Sequence, residues 1–183
     1  MAPEILFLNA MTGTVLRQTQ VPSVITHLEF SHSLLFSGAT DGFIRAHDSR
    51  TGVTRNGGSE SAVKAHANGI TGLQTIGSFV FTIGLSMRFI SLSFCERVLS
   101  LTRQGRPFPD PLVKVYDLRN MRALSPIPFS SGPAFISVIP KRSSSIAVAS
   151  NLGLINIVDV SNPNLPSEFY QVHGESSGNL TAD

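Results

Sequence analysis

Phe43-Ile44-Arg45-Ala46-His47-Asp48, Leu112-Val113-Lys114-Val115-Tyr116-Asp117 and Leu154-Ile155-Asn156-Ile157-Val158-Asp159 are three largely apolar runs that each close on an aspartate and lead into a polar turn. The second and third aspartates lie 42 positions apart, the length of one four-stranded blade in a propeller built from sequence repeats. That spacing decides the fold class and says little by itself about chemistry.

Outward from these runs the chain alternates short β-branched and Phe-rich segments with clusters of Gly, Asn, Asp, Ser and Pro, a pattern of strands and turns throughout. Residues 24–30, 34–38, 43–48 and 53–56 read as the four strands of one blade. Thr40-Asp41-Gly42 makes the tight turn, since Gly accepts positive φ and Asp bonds its own backbone. Residues 70–76, 79–84, 112–118 and 123–128 fill the same four roles in a second blade. Residues 135–140, 145–150, 154–160 and 168–172 fill them in a third, with Asn151-Leu152-Gly153 as its turn. Ahead of these, residues 4–10 and 14–19 read as only the last two strands of an earlier blade.

The chain is therefore expected to be all-β, a partial WD-repeat β-propeller of about three and a half blades. The expected divisions are a truncated blade at 1–20, a blade at 21–58, a blade with a long loop at 59–129, a blade at 130–173 and a tail at 174–183. Repeats that cannot bury both faces alone depend on neighbours, so such a chain is expected to be a fragment that is soluble only with difficulty.

The charge is nearly balanced, 14 basic against 12 acidic residues, so no strong field invites nucleic acid or anionic lipid. A single cysteine, Cys95, excludes an internal disulfide framework and fits a reducing compartment. The first residues lack a basic n-region and residues 5–8 are too short for a signal peptide. Residues 89–101, the longest greasy segment, contain Glu96 and Arg97, so no transmembrane span is expected. A location in the cytosol or nucleus follows as an expectation, and Asn179-Leu180-Thr181 is read as a chance match to a glycosylation pattern.

One interval departs from the period. Asp48 and Asp117 stand 69 positions apart, and the surplus falls between the second and third strands of the middle blade. Residues 89–103 there are mostly apolar, where a surface hairpin loop is usually polar. Three readings stay open: an ordered excursion with Leu92, Cys95 and Leu99 on one helical face, a membrane-touching segment, or a translated unspliced intron in frame.

Residues that carry chemistry are scattered. His27, His32, His47, His66 and His173 fall on different strands and turns with no metal-ligand spacing among them, so structural or surface roles are expected. His66 stands at the start of a blade after Ala65, the place of the His in the Gly-His element of WD repeats, where it would bond a turn aspartate. Cys95 lacks a partner base, and Arg55-Asn56-Gly57-Gly58-Ser59 follows no phosphate-loop spacing. Asp41, Asp48, Asp117 and Asp159 sit at repeat-equivalent turns and strand ends and are expected to cap them. Arg88, Arg97, Arg103, Arg106 and Lys114 make the long loop the most basic part of the chain.

The stretch 106–129, from Arg106-Pro107-Phe108-Pro109-Asp110-Pro111 to Ser125-Pro126-Ile127-Pro128-Phe129, resembles the N-terminal WD-repeat region of the catalytic subunit of the poly(A)-nuclease deadenylation complex. So do residues 35–42, His66-Ala67-Asn68-Gly69-Ile70, and Asn162-Pro163-Asn164 before Phe169-Tyr170-Gln171-Val172. Tyr116 stands where most repeats carry Trp, and the Pro-rich flanks are distinctive. The resemblance implies a non-catalytic scaffold in poly(A)-tail shortening that engages the kinase-like adaptor subunit and poly(A) ribonucleoprotein, the latter directly or through others. It also implies that the exonuclease domain, with the acidic residues that bind divalent metal, lies elsewhere. No catalytic residue, cofactor or metal site is therefore expected in this chain. The alternative is a WD-repeat interaction platform of another complex, such as a trafficking or ubiquitin-ligase adaptor.

Overall fold

The structure is a computed structural model that describes residues 2–48, 50, 62–87, 107–140, 142, 144–161 and 167–172. Among them the chain is all-β, without a helix. A two-stranded sheet comes first, β1 (Glu4–Leu8) and β2 (Val15–Gln20). The first full sheet runs β3 (Ile25–Ser31), β4 (Leu34–Ala39), β5 (Phe43–Asp48) and β6 (Ala62–Lys64) in spatial order. The second comprises β7 (Ile70–Ile76), β8 (Phe79–Met87), β9 (Pro107–Pro109), β10 (Leu112–Asp117), β11 (Arg122–Ala123) and β12 (Ile127–Pro128). Its path is β7-β8-β10-β11, with β9 paired to the end of β8 and β12 to the start of β10. The third runs β13 (Pro133–Val138), β14 (Ser145–Ser150), β15 (Leu154–Asp159) and β16 (Glu168–Gln171). Every pairing is antiparallel.

Two expectations are corrected. The fourth strand of the first blade is β6, paired through Phe43↔Lys64, Ile44↔Val63 and Arg45↔Ala62; the segment expected in that role, 53–56, lies outside the described residues. A boundary at 58/59 would therefore separate β6 from the strand it bonds. The fourth strand of the second blade is also not one run over 123–128 but two short pieces, β11 and β12, because three residues stand where the register offers two.

Alternation places the core between blades, since successive side chains of a strand point to opposite faces. On β8, Val80 packs with Phe36, Ile44, Ile70 and Tyr116 toward the first blade. Phe81 and Ile83 pack with Val113, Ile146 and Val148 toward the third. Ile5, Val21 and Leu35 join the two-stranded sheet to the first blade. On either side of the long interval β8 and β9 pair through Leu85↔Pro109 and Ser86↔Phe108. The suspected insert 89–103, which holds Cys95, Arg97 and Arg103, lies outside the described residues, as do Arg88, Arg106, residues 55–59, His173 and the tail.

Candidate functional site

Each blade ends its third strand in the same way. The Arg50 amide donates to Asp48 Oδ1 (2.8 Å), the Arg119 amide to Asp117 Oδ1 (2.9 Å) and the Ser161 amide to Asp159 Oδ1 (2.9 Å). These are Asx turns, in which a short carboxylate takes a backbone donor two residues on and reverses the chain. The repeat aspartates are thus turn-makers, spread across three blades rather than gathered into one acidic site.

The turn between the second and third strands differs from blade to blade. In the first, Asp41 Oδ1 accepts the Phe43 amide (3.1 Å), and both its oxygens accept from the Arg45 guanidinium at 3.3 and 2.6 Å. Burial works to raise the Asp41 carboxyl pKa, but the hydrogen bond and charge of Arg45 with the Phe43 amide hold it below the usual range. Arg45 also lies 5.1 Å from the centre of the Phe43 ring, with Lys64 5.7 Å from the same ring. In the third blade Ser150 Oγ accepts the amides of Leu152 and Leu154, each at 3.2 Å.

The second blade carries the densest polar cluster. Asp110 Oδ1 accepts the Leu112 amide (3.2 Å), its Oδ2 lies 3.0 Å from His66 Nδ1, and Lys114 Nζ approaches to 3.9 Å. His66 Nε2 lies 3.2 Å from Thr82 Oγ1. Burial lowers the His66 pKa against the pull of Asp110, so the neutral ring donates through Nδ1 to the carboxylate and accepts the Thr82 hydroxyl at Nε2. The backbone makes room for the ring: a Cβ on Gly84 would fall 2.5 Å from it. Tyr116 is buried nearby, and burial together with the Asp110 charge raises its phenol pKa.

Hydroxyl, imidazole and carboxylate stand in the order of a hydrolytic triad, but His66 and Thr82 are 2 % and 0 % exposed. No substrate atom reaches such a hydroxyl without unfolding the blade. The arrangement suits a lock that pins the segment before β7 to the turn before β10. A cavity of about 370 Å³ lies elsewhere, lined by Glu4, Ile5, Leu6 and the Ile25 to Leu28 segment. Among the described residues no three His, Cys, Asp or Glu side chains gather as a metal site, and no helix is long and apolar enough to cross a membrane.

The other histidines are dispersed. His47 is buried, with Nε2 2.8 Å from Ser37 Oγ; burial and then the Arg45 charge push its pKa down to about 4. His27 Nδ1 is shielded with no hydrogen-bond partner, and burial lowers its pKa. His32 occupies a left-handed turn at φ 55° beside Ser31. Sequence reasoning singled out Asp41 and His66 but missed Asp110 and Thr82. The signal for Asp110 was present, because Asp41 and Asp110 each stand seven residues before a strand-ending aspartate.

Residues 5–183 match the family model for the PAN2 N-terminal region. The chain belongs to the PAN2 N-terminal family. It is 34 % identical over 157 residues to the PAN2-PAN3 deadenylation complex catalytic subunit PAN2 of Cryptococcus neoformans var. neoformans serotype D, covering 86 % of this chain and 12 % of that protein. It is 35 % identical over 130 residues to the corresponding subunit of Schizosaccharomyces pombe, covering 71 % of this chain and 10 % of that protein. The chain thus spans about an eighth or less of the length of these relatives. The solved Neurospora crassa Pan2 WD40 domain superposes with a TM-score of 0.72 at 23 % identity, over 94 % of this chain and 47 % of that one. That likeness establishes the WD40 propeller fold.

Proposed function

We propose that this PAN2 N-terminal chain is a non-catalytic scaffold in poly(A)-tail shortening, whose blades engage the kinase-like adaptor subunit and poly(A) ribonucleoprotein, directly or through intermediates. The observation that carries this reading is the family match over residues 5–183, taken with a polar cluster that is buried and devoted to holding one blade together. Catalysis by such a member would reside in another part of the longer polypeptide, where divalent metal would be bound by acidic residues. A cytoplasmic location is part of the same proposal.

The test is a binding measurement on the purified 183-residue chain. Immobilised chain is expected to retain purified adaptor subunit or reconstituted poly(A) ribonucleoprotein. Failure to retain either, with a β-rich circular dichroism spectrum and a cooperative melt, would overturn the proposal. Incubation with poly(A) RNA and magnesium is expected to leave tail length unchanged; shortening that co-purifies with the chain and stops with chelator would place catalysis within it.

A further inference from the structure

We propose that Ser125 is a phosphate acceptor for a proline-directed serine/threonine kinase. Ser125-Pro126 is the only Ser-Pro or Thr-Pro pair in the sequence, and Arg122 stands three residues before it. The structure puts this pair at a break in the outer strand of the second blade. On one side Tyr116↔Ala123 and Asp117↔Arg122 are paired; on the other, Leu112↔Pro128 and Val113↔Ile127. Lys114 and Val115 therefore stand opposite three residues, Leu124, Ser125 and Pro126. The Leu124 amide still donates to the Val115 carbonyl at 2.8 Å, so the extra length falls on Ser125 and Pro126. Pro126 has no N–H to return to the ladder and biases Ser125 toward extended backbone.

Residues 122–126 are exposed throughout, and among the described residues no further strand pairs with this side of the sheet. Two other exposed hydroxyls are placed differently: Thr12 and Thr14 bond each other at 2.8 Å within a tight turn. A kinase cleft takes an extended segment and needs the acceptor hydroxyl to stand clear of its own fold. An apolar pocket for the following residue favours proline, which leaves no N–H unsatisfied there. In the transfer, Ser125 Oγ bonds to the γ-phosphorus of a nucleoside triphosphate and the bond from that phosphorus to the β,γ-bridging oxygen breaks. Nucleoside diphosphate leaves, and the hydroxyl proton passes to the kinase's base. The product carries about −1.5 to −2 charge beside Arg122, replacing a basic blade edge with an anionic one.

The test incubates the full chain with a cyclin-dependent kinase and ATP, beside a synthetic peptide of residues 119–129, and maps the product by mass spectrometry. One phosphate on Ser125 is expected, absent from S125A, with P126A labelled at least about tenfold more slowly and the folded chain labelled within about tenfold of the peptide. Three results would each overturn the proposal. These are no phosphate on Ser125 while the peptide is labelled, P126A labelled as fast as the parent, or a folded chain slower than the peptide by about a hundredfold or more, which would mean access only through unfolding.

Discussion

His66 holds two partners with one ring, and the cost of losing either is set by burial rather than by the number of bonds. In D110A the imidazole Nδ1–H would remain buried without its acceptor, a loss of about 1–3 kcal/mol, and the Leu112 amide would lose its acceptor as well. Urea unfolding of D110A, H66A and the double variant is expected to show coupling, with the double variant costing less than the sum. His47 provides the pH dependence. Its folded pKa is about 4 against about 6.5 for an unfolded histidine, so the unfolded chain binds the extra proton. Stability is then complete above pH 6.5 and lost as pH falls toward 4, by at most about 3 kcal/mol for this one group. His66, whose pKa is also lowered by burial, acts with the same sign. Melting temperatures between pH 7 and pH 4.5 should fall, and H47Q should flatten the slope.

At the scale of elements, the hairpin turns decide which glycines are replaceable. Gly42 has φ +79°, and a Cβ there would come within 2.2 Å of the His66 carbonyl oxygen and 2.4 Å of that of Asn68. Gly77 has φ +54° and nothing within 4 Å of a built Cβ. G77A is expected to cost about 1–2 kcal/mol from left-handed backbone alone, whereas G42A adds a clash with backbone that cannot move aside and should cost about 3 kcal/mol or more. Equal losses in thermal unfolding would contradict the packing of the first blade's turn against the segment before β7. The turn at Asp41 shows why both devices exist. The first blade has no histidine in the place of His66, and Arg45 takes the carboxylate instead.

For the whole molecule, the facing sheets of the three full blades are apolar and covered, and the outer face of the third blade is apolar and open. Phe135, Ala149, Ile155 and Tyr170 form one row across the third blade through its pairing register, with Phe135 and Tyr170 at 65 % and 50 % exposure. On the first blade Phe30 is 62 % exposed on β3. Apolar groups in this state drive association but contribute little to folding. F135K and F30K are expected to shift sedimentation profiles toward monomer while changing unfolding free energy by no more than about 0.5 kcal/mol. A large loss of stability in F135K would mean that this row is packed within the folded chain.

Much of this was legible in the sequence because strand, turn and repeat signals are local and recur. The 42-residue interval and the alternation of apolar positions determined the blades, and the strand-ending aspartates marked turns that proved geometrically alike. Legibility failed where the decisive contacts are distant in sequence. His66 and Asp110 are separated by 44 positions, with the irregular interval between them, and Thr82 looks like any polar residue on a strand until the ring is placed against it. The fourth strand of the first blade was misassigned because a three-residue strand such as β6 carries almost no periodic signal; its identity comes from its hydrogen bonds to β5. Likewise the dipeptide Ser125-Pro126 is visible in the sequence, but only the pairing register shows three residues standing opposite two. The sequence by itself determined the repeat and its turns, since these follow from local backbone preference and side-chain alternation. The tertiary structure decided which side chains lock a blade and which residues leave the ladder, because both depend on long-range register that no local pattern encodes.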